Sequence, residues 1–249
     1  MAVIRILSAG AAQAVVEKIA AGYTRDTGND VKAEFSAVGA MKQRVVAGEP
    51  VDLIVLTSAL IDELAVFGHV TPGTRADLGK VGTGVAVRAG TSLPDVSSEP
   101  ALRGNLLAAR RVVCPDPAVA TAGKVVMRAL ENLEIAVQVR PRMQFFANGY
   151  AAMKSLADSR GALELGITQI TEILANPGVA YVGPLPGALQ MKTTYSAGVA
   201  ARAANAPAAK EFIRRLTSVS ARPILAKAGY ELENIPPCPP AMQDLEVPT

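Results

Sequence analysis

The feature that most restricts this chain is a rhythm. Short apolar runs alternate with amphipathic helical stretches from the first residues onward, and small residues fill the joints between them. Residues 3–8 read as a strand, and 11–25 place Val15, Val16, Ile19, Ala20 and Tyr23 on one face of a helix that Gly28 suits as an end. Val31, Ala33 and Phe35 alternate as in a half-buried strand. A short helix over 39–47 then turns Met41, Val45 and Val46 inward, with Gly48 closing it. The run VDLIVL at 51–56 predicts a fully buried strand carrying one acid, Asp52. Thr57 or Ser58 is placed to cap the following helix, with Asp62 and Glu63 in its early turns. Repeated βα units of this kind predict an α/β fold with a largely parallel sheet covered by helices.

The rhythm changes at VGTGVAVRAG, 81–90, where a strand bearing Val85 and Val87 follows a glycine-rich joint and leads into a Pro/Ser-rich loop. Further strands are expected at 110–114, 142–146, 164–169 and 179–183, with a helix carrying Val125, Val126, Ala129, Leu130 and Leu133. A second long extended segment falls at 193–201, helices at 207–219 and 221–228, and the tail from Pro236 is too proline-rich for regular structure. Two extended crossings predict a lobe inserted within a lobe: 1–82 plus 196–249 outside, 83–195 inside. A single domain with irregular insertions is the competing reading.

Composition narrows the function classes. A chain of 249 residues, half of them hydrophobic, buries roughly three-quarters of its unfolded surface. Net charge is +3, aromatics are 4%, and no basic run is interleaved with aromatics, so a nucleic-acid surface is not expected. No run of 18 apolar residues occurs, so membrane insertion is not expected. Two cysteines, Cys114 and Cys238, are too few for a disulfide framework, and whether they pair is left open. The start, MAVIRIL, enters a strand directly; the expectation is a cytoplasmic protein, or a periplasmic one if a leader has been removed. No pair of histidines or acids stands at metal-ligand spacing, and no nucleophile-elbow or Walker pattern is present. Accordingly no metal, cofactor or catalytic residue is assigned, and His69 follows a helix far from the small-residue joints.

Those joints carry the chemistry. Ser8-Ala9-Gly10-Ala11, Ser36-Ala37-Val38-Gly39 and Pro115 through Gly123 share one plan: a strand, small or polar residues, then a helix start. A helix N-terminus leaves unpaired N–H groups and a partial positive charge, and small residues let an anion reach them. Helix capping alone would use similar residues.

The ordered segments ILSAGAAQAVVEKIAAGYTRDTGNDVKAEFSAVGAMKQRVVAGEPVDLIVLTS, DPAVATAGKVVMRALENL, LGITQITEI and AKAGYEL resemble the periplasmic molybdate-binding proteins and their wider group of type 2 solute-binding proteins, over nearly the whole chain. The resemblance implies a bilobed fold of two α/β lobes joined by two crossing strands, with a ligand in the cleft between them. It places the ligand on Ser8, Ala9, Gly10 and Ala11, on Ser36, Val38 and Gly39, on Thr121 and Ala122, and on Gln169. Gly149 and Tyr150, after Asn148 at a further helix start, line the same cleft, and Lys42, Arg44, Lys124 and Arg142 could add positive charge. Where the family has serines this chain has Ala11, Val38 and Gly39; where it has a tyrosine this chain has Gln169. Hydroxyl donors suited to a tetrahedral oxyanion are therefore missing, and an amide that both donates and accepts is present. The expected ligand is a small organic di- or tricarboxylate rather than molybdate, captured by a monomer for an ABC-transporter permease. Some proteins resembling this family act as aconitate isomerases, which makes an isomerase the alternative, with Asp116, Tyr150 and Glu172 as conceivable bases. An effector-sensing module, as in LysR-type regulators, is a second alternative.

Overall fold

In the computed structural model, which describes residues 2–233, the chain forms two α/β units, each built on its own five-stranded sheet. Of the described residues, the first comprises 2–35, 40–80 and 193–233; the second comprises Val81–Lys192 and Ser36–Gly39. That last grouping is not predicted by the strand–helix pattern. The proline-rich tail from Pro236, and Cys238 within it, lie outside the described residues.

The first unit opens with β1 (Val3–Ala9), a 3-10 turn at Gly10–Ala12 and α1 (Gln13–Thr27). It continues through β2 (Asp30–Ser36), α2 (Val38–Val46), β3 (Leu53–Thr57), α3 (Ser58–Val66) and β4 (Ala76–Val81). In the second unit come β5 (Thr83–Arg88), α4 (Glu99–Ala108), β6 (Arg111–Pro115), α5 (Thr121–Asn132) and α6 (Ala136–Val139). It closes with β7 (Met143–Phe146), α7 (Gly149–Ala157), β8 (Glu164–Gln169), α8 (Ile170–Leu174) and β9 (Val179–Pro184). The chain returns to the first unit with β10 (Thr193–Val199), α9 (Ala206–Leu216) and α10 (Arg222–Lys227).

The first sheet has the order β2-β1-β3-β10-β4. β1 and β3 are parallel, with Ser8 opposite Val55, so both strands end at one edge and α1 and α3 start there. Every residue of β3 is buried, as the unbroken run VDLIVL predicts. Asp52, only 1% exposed, precedes it. Its carboxylate accepts from the Arg5 N–H and the Asn205 N–H, both at 2.8 Å, tying together β1, β3 and the lead into α9. Thr57 occupies the α3 N-cap but makes no capping hydrogen bond, contrary to the sequence expectation. Also unpredicted is β4, whose Gly79 and charged residues hide its alternation. Its Lys80 exchanges two main-chain hydrogen bonds with Glu231, and Gly79, at φ 152°, passes close to the Glu231 carbonyl.

The second sheet has the order β7-β6-β8-β5-β9. β6 runs parallel to β7 and β8, and β5 antiparallel to β8 and β9. Alternation sorts its faces. Val85, Val87, Leu165, Ile167, Val112 and Cys114 pack with Val125, Val126 and Leu130 of α5. Ala86 and Val113 pack with Ala152, Met153 and Leu156 of α7 and Ile173 of α8. Thus α5 covers one face and α7 with α8 the other. Burial, with the Asp116 charge adding to it, pushes the free Cys114 thiol up to about 12, where it is inert. Not predicted is α4, because its PALRGNLLA run follows the Pro/Ser-rich loop; Ser98 caps it by accepting from the Ala101 N–H.

Asp52→Ala removes the acceptor of two part-buried, charge-assisted hydrogen bonds and leaves both N–H groups without it. The expected loss is about 3 kcal/mol in urea unfolding, with Asp52→Asn losing less. Equal stability of the alanine variant and the parent would show that this carboxylate is not a structural tie.

Candidate functional site

Start with α5, which follows the parallel strand β6. Its N-cap, Ala120, is extended and offers no capping side chain, and Thr121 is the first helical residue. The Lys124 N–H is the first to find a helical acceptor, the Ala120 carbonyl, so the N–H groups of Thr121, Ala122 and Gly123 point ahead of the helix. The loop before it is fixed by Asp116, whose carboxylate accepts from the Ala118 N–H at 2.8 Å. Gly123 lets the helix begin hard against that loop: a Cβ there would lie 2.3 Å from the Pro115 carbonyl oxygen.

At the same edge, β8 ends in Gln169, directly opposite Thr83 at the start of β5. Cross-strand partners share a face. Counting back through Ile167 and Val85 puts both on the α5 face. Gln169 is 2% exposed and Thr83 0%. Among the described residues, neither the Gln169 amide nitrogen, nor its oxygen, nor the Thr83 hydroxyl has a hydrogen-bond partner. Leaving such groups unpaired costs about 1–3 kcal/mol each. The Thr83 main chain is well held: its N–H donates to Gln190 Oε1 at 2.9 Å and its carbonyl accepts from Gln190 Nε2 at 2.8 Å. This edge therefore presents free helix amides beside a polar pair that the protein itself leaves unsatisfied.

On the opposite face the start of α7 is occupied. Asn148 caps it, accepting from the Ala151 N–H at 2.8 Å. The buried Glu172 carboxyl lies against Gly149, where a Cβ would fall 1.9 Å from Oε2, and accepts from Thr168 Oγ1 at 2.5 Å. Burial pushes this carboxyl up to about 7, although Thr168 and the main chain of Gly149, Gln169 and Tyr150 pull it back. Glu172 also stands at the third position of α8, so its reach to the Gln169 N–H closes that helix as a capping-box acid does.

In the first unit, β1 delivers Ser8, Ala9, Gly10 and Ala11 to the edge it shares with Thr57. Neither Ala9 nor Ala12 caps the turn they bound, and all four residues are buried. The Ser8 hydroxyl donates to the Ala9 carbonyl at 3.1 Å, and the Tyr230 hydroxyl to the Ala11 carbonyl at 3.2 Å. Among the Ser36–Gly39 residues, Ala37 and Val38 are buried and the Gly39 N–H is spent on the Val119 carbonyl at 2.9 Å. The basic residues are mostly spent too. Lys42 pairs with Glu63, Arg44 with Glu34 and Glu49, and Arg142 donates to the carbonyls of Leu107, Ala109 and Gln138.

Of the sequence-predicted residues, Thr121, Ala122 and Gln169 thus share an edge and a face, while Gly149 and Tyr150 share the edge but serve Glu172. Sequence reasoning missed Thr83 and Gln190 as site residues. A hydroxyl at the start of an apolar strand is the one local signal for Thr83; Gln190 carries none. Among the described residues, no three His, Cys, Asp or Glu side chains gather to hold a metal, and no helix is long and apolar enough to cross a membrane.

Two α/β units on mixed five-stranded sheets, with helix starts at the strand ends, define the type 2 periplasmic-binding-protein-like fold. The periplasmic molybdate-binding protein of Azotobacter vinelandii is similar with a TM-score of 0.78 and 21% identity, over 93% of this chain and 100% of that one. The sulfate-binding protein SubI of Mycobacterium tuberculosis H37Rv is similar with a TM-score of 0.70 and 19% identity, over 97% and 89%. The family model for bacterial extracellular solute-binding proteins matches residues 4–231, and the chain belongs to that family. Among curated proteins, an aconitate isomerase of a Pseudomonas species is 28% identical over 240 residues, 91% of this chain and 86% of that protein.

Glu172 gives a pH signature. The folded state holds its proton more tightly than the unfolded chain, so ionising it works against the fold. The penalty is absent below the ordinary value of 4.5, grows as pH rises to about 7, and is constant above. Such a rise corresponds to roughly 3 kcal/mol. Relative to Glu172→Gln, the parent should lose stability on that order between pH 5 and pH 8 in denaturant titrations. A parent–variant difference that does not change with pH would mean the carboxyl titrates normally.

Proposed function

We propose that the protein captures a small organic carboxylate and delivers it to an ABC-type permease at the outer face of the cytoplasmic membrane. In this reading a carboxylate of the ligand sits on the N–H groups at the α5 start, beside Gln169 and Thr83 of the same unit. The observation that carries it is the pairing of an uncapped helix start with Gln169, a buried amide. Main-chain amides and the helix dipole favour an anion without a guanidinium. A hydrogen bond to a charged group contributes roughly 1.5–3 kcal/mol, so four to six can support the roughly 8 kcal/mol of micromolar binding. The amide favours a ligand of mixed donors and acceptors over a bare tetrahedral oxyanion.

One observation supports a second reading, an isomerase acting on an unsaturated tricarboxylate. Glu172, held at about 7 next to Gln169, has the proton affinity of a general base working near neutrality, and the aconitate isomerase relative fits that chemistry. Incubation with cis-aconitate, followed by NMR for the trans isomer, separates the two readings: turnover that disappears in Glu172→Gln favours the enzyme.

Isothermal titration against succinate, malate, citrate, sulfate and molybdate tests the first reading. Carboxylates should bind at least about tenfold more tightly than either oxyanion, a difference of about 1.4 kcal/mol. Thr121→Asp places a competing carboxylate at the α5 start. It should weaken carboxylate binding by about tenfold or more while keeping or raising Tm, because an acid there suits the helix dipole. Tightest binding of molybdate or sulfate, or unchanged binding by Thr121→Asp, would count against it.

A further inference from the structure

We infer that the ligand presents a hydrogen-bond donor as well as a carboxylate, and that Gln169 with Thr83 selects for it: the solute is a hydroxycarboxylate. The inference rests on the proposed capture of an organic carboxylate and narrows its class.

The argument is one of satisfying buried atoms. A primary amide has two donors on nitrogen and an acceptor oxygen, whichever way it is turned. In Gln169 both ends are buried and unpaired among the described residues, and so is the Thr83 hydroxyl opposite it. A carboxylate, sulfate or molybdate oxygen can only accept, so it pairs the nitrogen and leaves the amide oxygen bare. A ligand hydroxyl donates to that oxygen, and an adjacent carboxylate oxygen takes the amide N–H or the Thr83 O–H. The neighbouring groups do not compensate. Gln190 is already committed through both ends of its own amide to the Thr83 main chain, and Thr168 is committed to Glu172. Side chains of the adjacent helix start are Thr121, Ala122 and Gly123, of which only Thr121 has a polar group. Buried polar groups built to meet a hydroxyl discriminate strongly against the analogue that lacks it, because the site's own atoms are then left unpaired.

Two pairs of probes differing by one hydroxyl test this: L-malate against succinate, and citrate against tricarballylate, by isothermal titration at pH 8, where the carboxyls are ionised. In at least one pair the hydroxylated member should bind at least about 30-fold more tightly. Gln169→Met, which keeps the side chain's length but removes both polar ends, should bring that ratio close to one. Thermal unfolding of the unliganded variant checks that it folds; Gln169→Leu serves as a second, shorter apolar replacement if it does not. Binding of both members of each pair within about threefold in the parent, or a ratio unchanged in the variant, would overturn the inference while leaving carboxylate capture intact. No binding of any of the four would instead remove the proposed function on which it rests.

Discussion

The N–H groups at the start of a helix must find an acceptor, and a parallel strand that feeds a helix brings that demand to the edge of a sheet. This chain meets it in three ways. Ser98 and Asn148 place their own side chains over the helices they begin. Glu172 supplies a buried carboxyl shared between the starts of α7 and α8. At α5, and at the turn into α1, no side chain does the work. The contrast between α5 and α7 is the informative one. Both begin at the same edge of one sheet, yet one start is neutralised from within and the other is left for something to bring.

The same choice suits the basic residues considered for the site, three of which are engaged by the fold itself. Arg44, Arg142 and Lys42 are bound to acids or carbonyls of the fold, so affinity for an anion does not depend on a mobile guanidinium. Amides fixed by a helix and a strand lose little freedom when a ligand arrives, and they hold oxygen atoms at defined angles. Selectivity then falls to the few side chains whose atoms the fold leaves unpaired.

How much of this was legible in the sequence follows from the range of the interactions. The strand–helix rhythm, the buried run at 51–56 and the small-residue joints are local patterns, and they stand in the structure close to where they were read. The Asp52 tie was visible only as an anomaly, an acid in an apolar run; its partners, Arg5 and Asn205, are distant in sequence. Gly149 read as one more exposed helix start, because nothing local announces that Glu172, 23 residues on, fills it. Thr83 was invisible for a related reason. Its meaning comes from register, since only the antiparallel pairing of β5 with β8 sets it opposite Gln169. Gly39 was taken as open, and its N–H is used by Val119, 80 residues away.

Register also explains how the polar pair keeps its atoms unpaired without loosening the sheet. The Thr83 carbonyl already accepts from the Leu185 N–H at 3.0 Å, but its N–H would otherwise lack an acceptor beside the unpaired hydroxyl, and the two deficits together would favour local rearrangement. Gln190 prevents that. Its amide runs alongside Thr83 as a neighbouring peptide would, donating to the carbonyl and accepting from the N–H, and Gly82 leaves room for it: a Cβ there would come 3.0 Å from Gln190 Nε2. One glutamine therefore completes the ladder that fixes the backbone, so the other, Gln169, is held opposite a rigid partner. A side chain on a fixed backbone cannot relax its way to a new acceptor, which is why the deficit at this edge persists in the folded protein and acts as a demand on the ligand.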